Sequence, residues 1–432
     1  MERTRDEIMP GVWLTAINTD KFKTDTLSVT LLTQLSAETA AMNALIPSVL
    51  RRGTTRCPDM DALSALQDEL YGALVLPSVR RIGEIQAVGF LASFAGDAYL
   101  PGDEGLTERV SALVGELLLS PNTRGGLFLP DYVAGERSKL VERILARVND
   151  KGRYAILRLI ENMCSCEDFA VNSLGDESSA EAINYQKLTK HYHSLLAASP
   201  IEIFYCGGAK YERVREALLH ALYTLPRGEL DFDLGTDVRM NALEAEPRYF
   251  TEELNVTQGK LAIGWRLGDC MDDPDPAALR VFNAVFGGSV TSKLFTNVRE
   301  RLSLCYYASS AVDLHKGLLL VSSGIEFDKY DAAKDEIFAQ LEAIKRGEIS
   351  DAELFSAKKS VASDLRASMD SAEQLESWWL SQNLDGSDCS PDELALLCES
   401  VTREEIIAIA NGVECDAVYF LKNAEGDAAD DE

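Results

Sequence analysis

The stretch that decides the fold of this 432-residue chain is FGGSVTSKLFTNVRERLSLCY, residues 286–306. A turn at Gly287 and Gly288 leads into a helix start rich in Ser and Thr. An amphipathic pattern that carries Arg299 predicts a helix over residues 289–301, and a strand is predicted to begin at Tyr306. The stretch therefore predicts a turn, a helix and a strand in direct succession.

The elements around this stretch occur in the same order as the elements of the first half of the chain. The clearest pair of matching features is two β-hairpins, one predicted over residues 73–94 and one over residues 306–325. Residues 227–248 lack a sustained period and are rich in Asp, Glu, Gly and Pro, which is typical of a linker. We therefore predict an α+β fold with two homologous domains, residues 1–226 and 249–432. Each is expected to be an antiparallel sheet covered by helices on one face.

The composition excludes several classes of protein. The chain has 70 Asp+Glu against 42 Lys+Arg, a formal net charge of −28, and 46% of its residues are hydrophobic. A chain this acidic repels nucleic acid, and this one has no compensating basic stripe. No signal peptide or membrane segment is recognised, and the nine cysteines are scattered rather than arranged as a disulfide framework. We expect a cytoplasmic protein with no membrane contact and a disordered acidic tail over residues 424–432.

The stretch at residues 286–306 resembles the second-domain signature of the insulinase and mitochondrial-processing-peptidase family of zinc metallopeptidases, the inverted zincins. The family pattern is G-G-x-x-S-S-R-L-F-x-x-V-R-E-x-x-x-L-x-Y. Lys293 replaces its first Arg, and the positions that fit are Ser292, Leu294, Phe295, Val298, Arg299, Glu300, Leu304 and Tyr306.

The resemblance implies roles for two of these residues, Arg299 and Tyr306. In the family, the Arg binds the substrate backbone and the Tyr donates a hydrogen bond near the scissile carbonyl. A guanidinium with fixed donors and a phenol that can stabilise an oxyanion suit those roles. The alternative is an Arg on a helix surface and a Tyr packed under a strand.

The first-domain signature of the family, H-x-x-E-H shortly before a Gly-Thr dipeptide, has lost its chemistry here. Counting back from Gly53-Thr54 places its three positions at Ala44, Pro47 and Ser48. An alanine offers no lone pair, and a serine is a poor zinc ligand beside imidazole. The third ligand, a Glu in the helix after Pro130, aligns with Arg143, one position from Glu142. We therefore predict no catalytic residues, no metal and no cofactor in this chain.

Two other features are candidate sites for metal or peptide binding. His191 and His193 lie two residues apart without an Asp, Glu or Cys cluster, so a surface or capping role is favoured over metal ligation. The strand predicted over residues 73–81 contains Pro77 and two arginines, which blunt a sheet edge, so it is expected to accept a peptide poorly.

A chain that keeps the Arg/Tyr pair and loses the zinc site resembles the non-catalytic subunit of bacterial heterodimeric members of the family. The resemblance implies a zinc-bearing homologue as partner, a peptide substrate, and no enzymatic activity of this chain alone. A homodimer of the isolated chain is compatible with this. The alternative function is a purely structural scaffold of the same fold with no role in proteolysis.

Overall fold

The computed structural model describes residues 2–102 and 104–424. The acidic tail predicted to be disordered lies outside the described residues from position 425 onward. The strands are β1 Glu2–Met9, β2 Val12–Asn18, β3 Thr24–Gln34, β4 Leu74–Ile82, β5 Ile85–Ala95, β6 Thr123–Arg124, β7 Leu127–Phe128, β8 Ile201–Gly207, β9 Arg248–Leu254, β10 Gly259–Arg266, β11 Cys305–Asp313, β12 Leu318–Ile325 and β13 Glu414–Asn423.

The α-helices are α1 Ala40–Leu50, α2 Met60–Glu69, α3 Leu106–Leu119, α4 Pro130–Leu145, α5 Lys151–Met163, α6 Glu177–Glu181, α7 Tyr185–Ala198, α8 Tyr211–Ala221, α9 Pro276–Asn283, α10 Tyr330–Lys345, α11 Asp351–Ser368, α12 Ala372–Leu384, α13 Pro391–Ser400 and α14 Arg403–Gly412. Capping boxes begin several of them: the Ser350 and Glu353 side chains each bond the other's backbone N–H at the start of α11. None of the helices in the described part of the chain has the length and apolarity that a bilayer crossing requires.

The described residues form two compact units, and each unit contains a helix from the other half of the sequence. Unit 1 comprises residues 2–146, 171–235 and 371–387, and unit 2 comprises residues 147–170, 236–370 and 388–424. Unit 1 therefore includes α12, and unit 2 includes α5. The predicted domains, residues 1–226 and 249–432, are continuous in sequence. They place α5 in the first domain and α12 in the second.

The two main sheets repeat one topology. The sheet of unit 1 has the order β4-β5-β3-β8-β2-β1, and the sheet of unit 2 has the order β11-β12-β10-β13-β9. All neighbouring pairs in these sheets are antiparallel except β2 with β8 and β9 with β13, which occupy equivalent places. The predicted α+β class with two homologous domains is confirmed.

Helices cover both faces of each sheet, so the expectation of one covered face was incomplete. In unit 1, Val29 of β3 points into the core beneath α1, α3 and α7. Its neighbour Ser28 points to the opposite face and donates to Glu376 of α12 at 2.9 Å. In unit 2, Trp265 packs against Phe286 on one face, and the alternate residue Ala262 joins a buried cluster with α5 on the other.

Candidate functional site

The segment that carries the family signature differs locally from its prediction. Residues 289–301 are not one α-helix: a turn follows Gly288, and a π-helix, Leu294–Arg301, replaces the rest. Leu294 and Val298 are fully buried and anchor this helix to the core of unit 2. π-Helical turns are uncommon in proteins and occur frequently at functional sites.

Arg299 extends from this π-helix with most of its hydrogen-bonding capacity available. Its guanidinium carbon lies 4.7 Å from the centroid of the Phe295 ring, one turn earlier, which is a cation–π distance. Its Nε lies 3.6 Å from Glu300 Oε1, a long contact, and its side chain is 41% exposed. Phe295 therefore supports the guanidinium from one side without using its N–H donors.

Tyr306 lies in a β-bulge on the edge strand β11. The register of β11 with β12 pairs Cys305 with Ile325 and Tyr307 with Gly324, so Tyr306 has no opposite residue. The turn before it has Ser303 in the left-handed region at φ 51° and is closed by the Leu304 N–H, which donates to the Val298 carbonyl at 3.0 Å. A bulge re-aims a side chain, and Tyr306 is 61% exposed. The alternative prediction for this residue, a tyrosine packed under a strand, is wrong.

Two of the three positions predicted for the lost zinc motif, Ala44 and Pro47, are buried in the apolar interior of unit 1, and Ser48 is partly exposed. Ala44 is 1% exposed, and Pro47 lies inside α1, which continues beyond it because the Arg51 N–H donates to the Pro47 carbonyl at 3.1 Å. Pro47 lines a small apolar pocket together with Leu50, Phe90 and Tyr192. These side chains do not provide the donor set that zinc requires.

The residues of α4 named for the third ligand position, Arg143 and its neighbour Glu142, are not the ones that place a buried carboxylate on this helix. Glu142 and Arg143 are both exposed. Glu136 is buried instead, and its Oε1 accepts from Arg52 at 3.3 Å and from Lys139 at 2.8 Å. The spacing of α4 contained this signal, because the buried positions Val133, Glu136, Leu140 and Ile144 recur every three or four residues.

The histidine pair does not form a metal site. The His191 ring nitrogen Nε2 lies 2.6 Å from Asn43 Oδ1, and the amide nitrogen of Asn43 donates to Gln86 Oε1 at 2.8 Å inside the core. Burial, with a smaller contribution from Lys187, holds the pKa of His191 below its ordinary value. His193 is exposed. Among residues 2–102 and 104–424, no group of three His, Cys, Asp or Glu side chains is placed to hold a metal ion.

The doubled α+β unit, the retained signature at residues 286–306 and the lost zinc ligands define the class of protein: an M16-type metallopeptidase homologue without its zinc motif. Residues 182–361 match the family described as "Peptidase M16 inactive domain". The chain is 34% identical over 417 residues to "Probable inactive metalloprotease YmfF" of Bacillus subtilis strain 168, covering 96% of this chain and 97% of that protein. The chain therefore belongs to the peptidase M16 family.

Two further comparisons extend this result. "Uncharacterized zinc protease YmxG" of Bacillus subtilis strain 168 is 30% identical over 184 residues, which covers 41% of this chain and 42% of that protein. The crystal structure of a conserved protein from Enterococcus faecalis V583 superposes with a TM-score of 0.89 at 26% identity, covering 98% of this chain and 99% of that one. The fold extends over almost the whole chain, and the sequence contains no H-x-x-E-H motif.

Proposed function

We propose that this chain is the non-catalytic subunit of a two-chain peptidase and presents Arg299 and Tyr306 to a peptide held by a zinc-bearing M16 homologue. The observation that carries the proposal is the exposure of Tyr306 in the bulge of edge strand β11, beside a helix that leaves the Arg299 guanidinium accessible. Exposure alone is not unusual, since Tyr249 on edge strand β9 is 58% exposed, but Tyr306 lies in a β-bulge that follows the helix carrying Arg299.

The two side chains suit the work of substrate assistance. A guanidinium presents several donors in a fixed plane and can hold the carbonyl groups of an extended peptide. A phenol hydroxyl donates one hydrogen bond and can stabilise the oxyanion that develops at the scissile carbonyl. The zinc chemistry belongs to the partner, so this chain is proposed to act without a cofactor of its own, in the cytoplasm.

Relatives of this chain support the idea of two kinds of subunit. Bacillus subtilis strain 168 contains one relative named a probable inactive metalloprotease and another named a zinc protease. A heterodimer of an inactive and a zinc-bearing member is therefore the proposed assembly, and a homodimer is the alternative state of the isolated chain.

The test uses the full chain, co-expressed and copurified with an M16 homologue that contains H-x-x-E-H. We expect Arg299→Ala and Tyr306→Phe each to lower kcat/KM of the pair on a peptide substrate by about tenfold to a hundredfold. Matched controls are Arg301→Ala, on the same helix and exposed, and Tyr249→Phe, on edge strand β9 at 58% exposure. Both controls should leave kcat/KM unchanged.

Two results would contradict the proposal. If the pair forms and both site variants retain wild-type kcat/KM, the chain is a structural scaffold of the pair and not a contributor to catalysis. If the isolated chain contains stoichiometric zinc and cleaves peptides, it is an enzyme with a site of its own.

A further inference from the structure

The segment that presents Arg299 and Tyr306 is tied at its beginning by a buried lysine. Lys293 immediately precedes the π-helix Leu294–Arg301 and is 6% exposed. Its ammonium group donates to Glu353 Oε1 at 2.9 Å. The other oxygen of Glu353 accepts from the backbone N–H and the hydroxyl of Ser350, at 2.8 and 2.7 Å, in the capping box of α11. One carboxylate therefore connects the start of the π-helix to the start of α11.

Two weaker hydrogen bonds hold the segment of residues 293–306 further along the chain. The Asn297 amide donates to Gln340 of α10 at 2.8 Å. The Lys329 ammonium group donates to the carbonyl of Ser303, the left-handed residue before the bulge, at 3.4 Å. The backbone that carries Arg299 and Tyr306 is thus fixed at three points, while both side chains remain exposed.

The tie at Lys293 is the strongest of the three on physical grounds. The Lys293 side chain is 7% exposed and that of Glu353 is 29% exposed, so the ion pair is partly shielded from water, and a buried ammonium group left without its partner is costly. A lysine at a buried position also has an apolar alternative of similar volume, so its charge is not needed merely to fill space. What the charge adds is a defined position for the first turn of the π-helix.

We propose that Lys293, through Glu353, is a positioning residue for Arg299: it fixes the π-helix to α11 and so holds the guanidinium where a substrate can meet it. The expected effect on catalysis rests on the proposed function. The expected effect on residues 294–304 does not, because it can be measured on the isolated chain. A misplacement of about 1 Å at a contacting group can cost up to about a hundredfold in rate, so the effect is measurable.

The first measurement is amide hydrogen exchange on the isolated chain. Lys293→Met preserves the volume, and Glu353 keeps its bonds to Ser350, so the variant should fold. We expect residues 294–304 to exchange about tenfold faster in this variant, with strand β10 unchanged. Lys293→Arg, which restores the residue of the family pattern, should exchange like the wild type. The control is Lys345→Met, which removes a surface pair with Glu342 at 2.8 Å.

The second measurement is the kinetics of the reconstituted pair. Lys293→Met should lower kcat about tenfold with a smaller change in KM, and Lys293→Arg should restore it to within about twofold. In an Arg299→Ala background, Lys293→Met should have little further effect, because a residue that acts only through Arg299 has nothing left to position.

The possible failures are distinguishable. Unchanged exchange in Lys293→Met overturns this inference and leaves the proposed function standing. A full additional loss in the Arg299→Ala background also overturns it, because Lys293 would then act by another route. If Arg299→Ala itself has no effect on kcat/KM, the proposed function fails and the positioning role fails with it.

Discussion

Arg80 of β4 and Glu376 of α12 are 296 residues apart in the sequence and are joined by two charge-assisted hydrogen bonds. Arg80 Nη1 donates to Oε2 at 2.5 Å, and Nη2 donates to Oε1 at 2.7 Å. The Glu376 side chain is 2% exposed and also accepts from Ser28. This pair attaches α12 to the sheet of unit 1, on the face opposite its main core.

Removal of Arg80 should detach α12. Arg80→Met leaves the Glu376 carboxylate buried without its cation, and breaking a buried pair costs about 3 kcal/mol. We expect a lower urea midpoint and faster amide exchange over residues 372–384. The control is Arg366→Met, which removes exposed pairs with Asp392 and Glu399 and should leave the midpoint in place. Equal midpoints for Arg80→Met and wild type would mean that α12 is held by its apolar contacts alone.

The stability of α5, which belongs to unit 2 although it lies in the first half of the sequence, should depend on a buried ionic cluster. Arg266 is fully buried and bonds Glu167, in the turn after α5, at 2.6 and 3.1 Å, and Asp416 of β13 at 2.8 Å. Arg266→Met leaves two buried carboxylates short of a partner, so a loss of about 3–5 kcal/mol is expected. Exchange over residues 151–163 reports it. The double variant Arg266→Met/Glu167→Gln should be less stable than Arg266→Met, because the buried Lys316 ammonium group, 2.7 Å from Glu167, then loses this carboxylate, and a recovery of stability would contradict the ion-pair explanation.

The same cluster predicts a pH dependence. Burial by itself raises the pKa of Glu167, but hydrogen bonds from Arg266 and Lys316 outweigh it and bring this pKa below its ordinary value. A carboxyl group with a lowered pKa in the folded state stabilises the fold above the unfolded pKa, and this stability is lost as the pH falls through the folded pKa. We expect the exchange protection of α5 to decrease below about pH 4.5 in wild type. In Glu167→Gln that part of the decrease should disappear; a profile that keeps it would assign it to another group.

The stability of the fold should also depend on pH through His191, at a higher pH than through Glu167. Burial holds its pKa below the ordinary 6.5, and its ring bonds the Asn43 amide oxygen. The neutral ring is therefore favoured in the folded state. Its contribution is present above pH 6.5 and is lost as the pH falls toward the folded pKa, because the unfolded chain takes up the proton first. In His191→Gln, the loss of stability as the pH falls below about 6.5 should be smaller. His220→Gln, at an exposed position of α8, is the matched control and should follow the wild type.

Zinc should not bind, and restoring one ligand should not change that. We expect the purified chain to contain much less than one equivalent of zinc by mass spectrometry, with the same melting temperature in zinc and in a chelator. Ala44→His introduces a large side chain at a position of 1% exposure, which should cost about 1–3 kcal/mol through overpacking. A zinc-dependent rise in its melting temperature would show that the old site can still be assembled.

The hairpins predicted over residues 73–94 and 306–325 correspond to β4 with β5 and to β11 with β12, and their outer ends agree to within one residue. Alternating apolar residues and a turn between the strands define both of them. The prediction did not include β1, β2 or α5. Strand β1 consists mostly of polar and charged residues, and its pairing with β2 in the sheet shows that it is a strand.

Part of the candidate site could be predicted from the sequence, because part of it is defined by local spacing. Arg299 and Tyr306 follow from a fixed spacing along the chain, so a sequence pattern can locate them. Glu136 and Glu353 were missed, because their importance comes from burial and from partners far along the chain, Arg52 and Lys293. The bulge that exposes Tyr306 depends on the register between β11 and β12, which no local pattern fixes.

The sequence by itself determined that the H-x-x-E-H motif is absent. Zinc ligation needs specific side-chain atoms, so the identities of the residues show this without knowledge of the fold. The tertiary structure decided how the chain is held together. The packing of α5 in unit 2 and of α12 in unit 1 depends on buried contacts between residues far apart in the sequence, such as Glu167 with Arg266 and Glu376 with Arg80. Such contacts exist only once the sheets have formed.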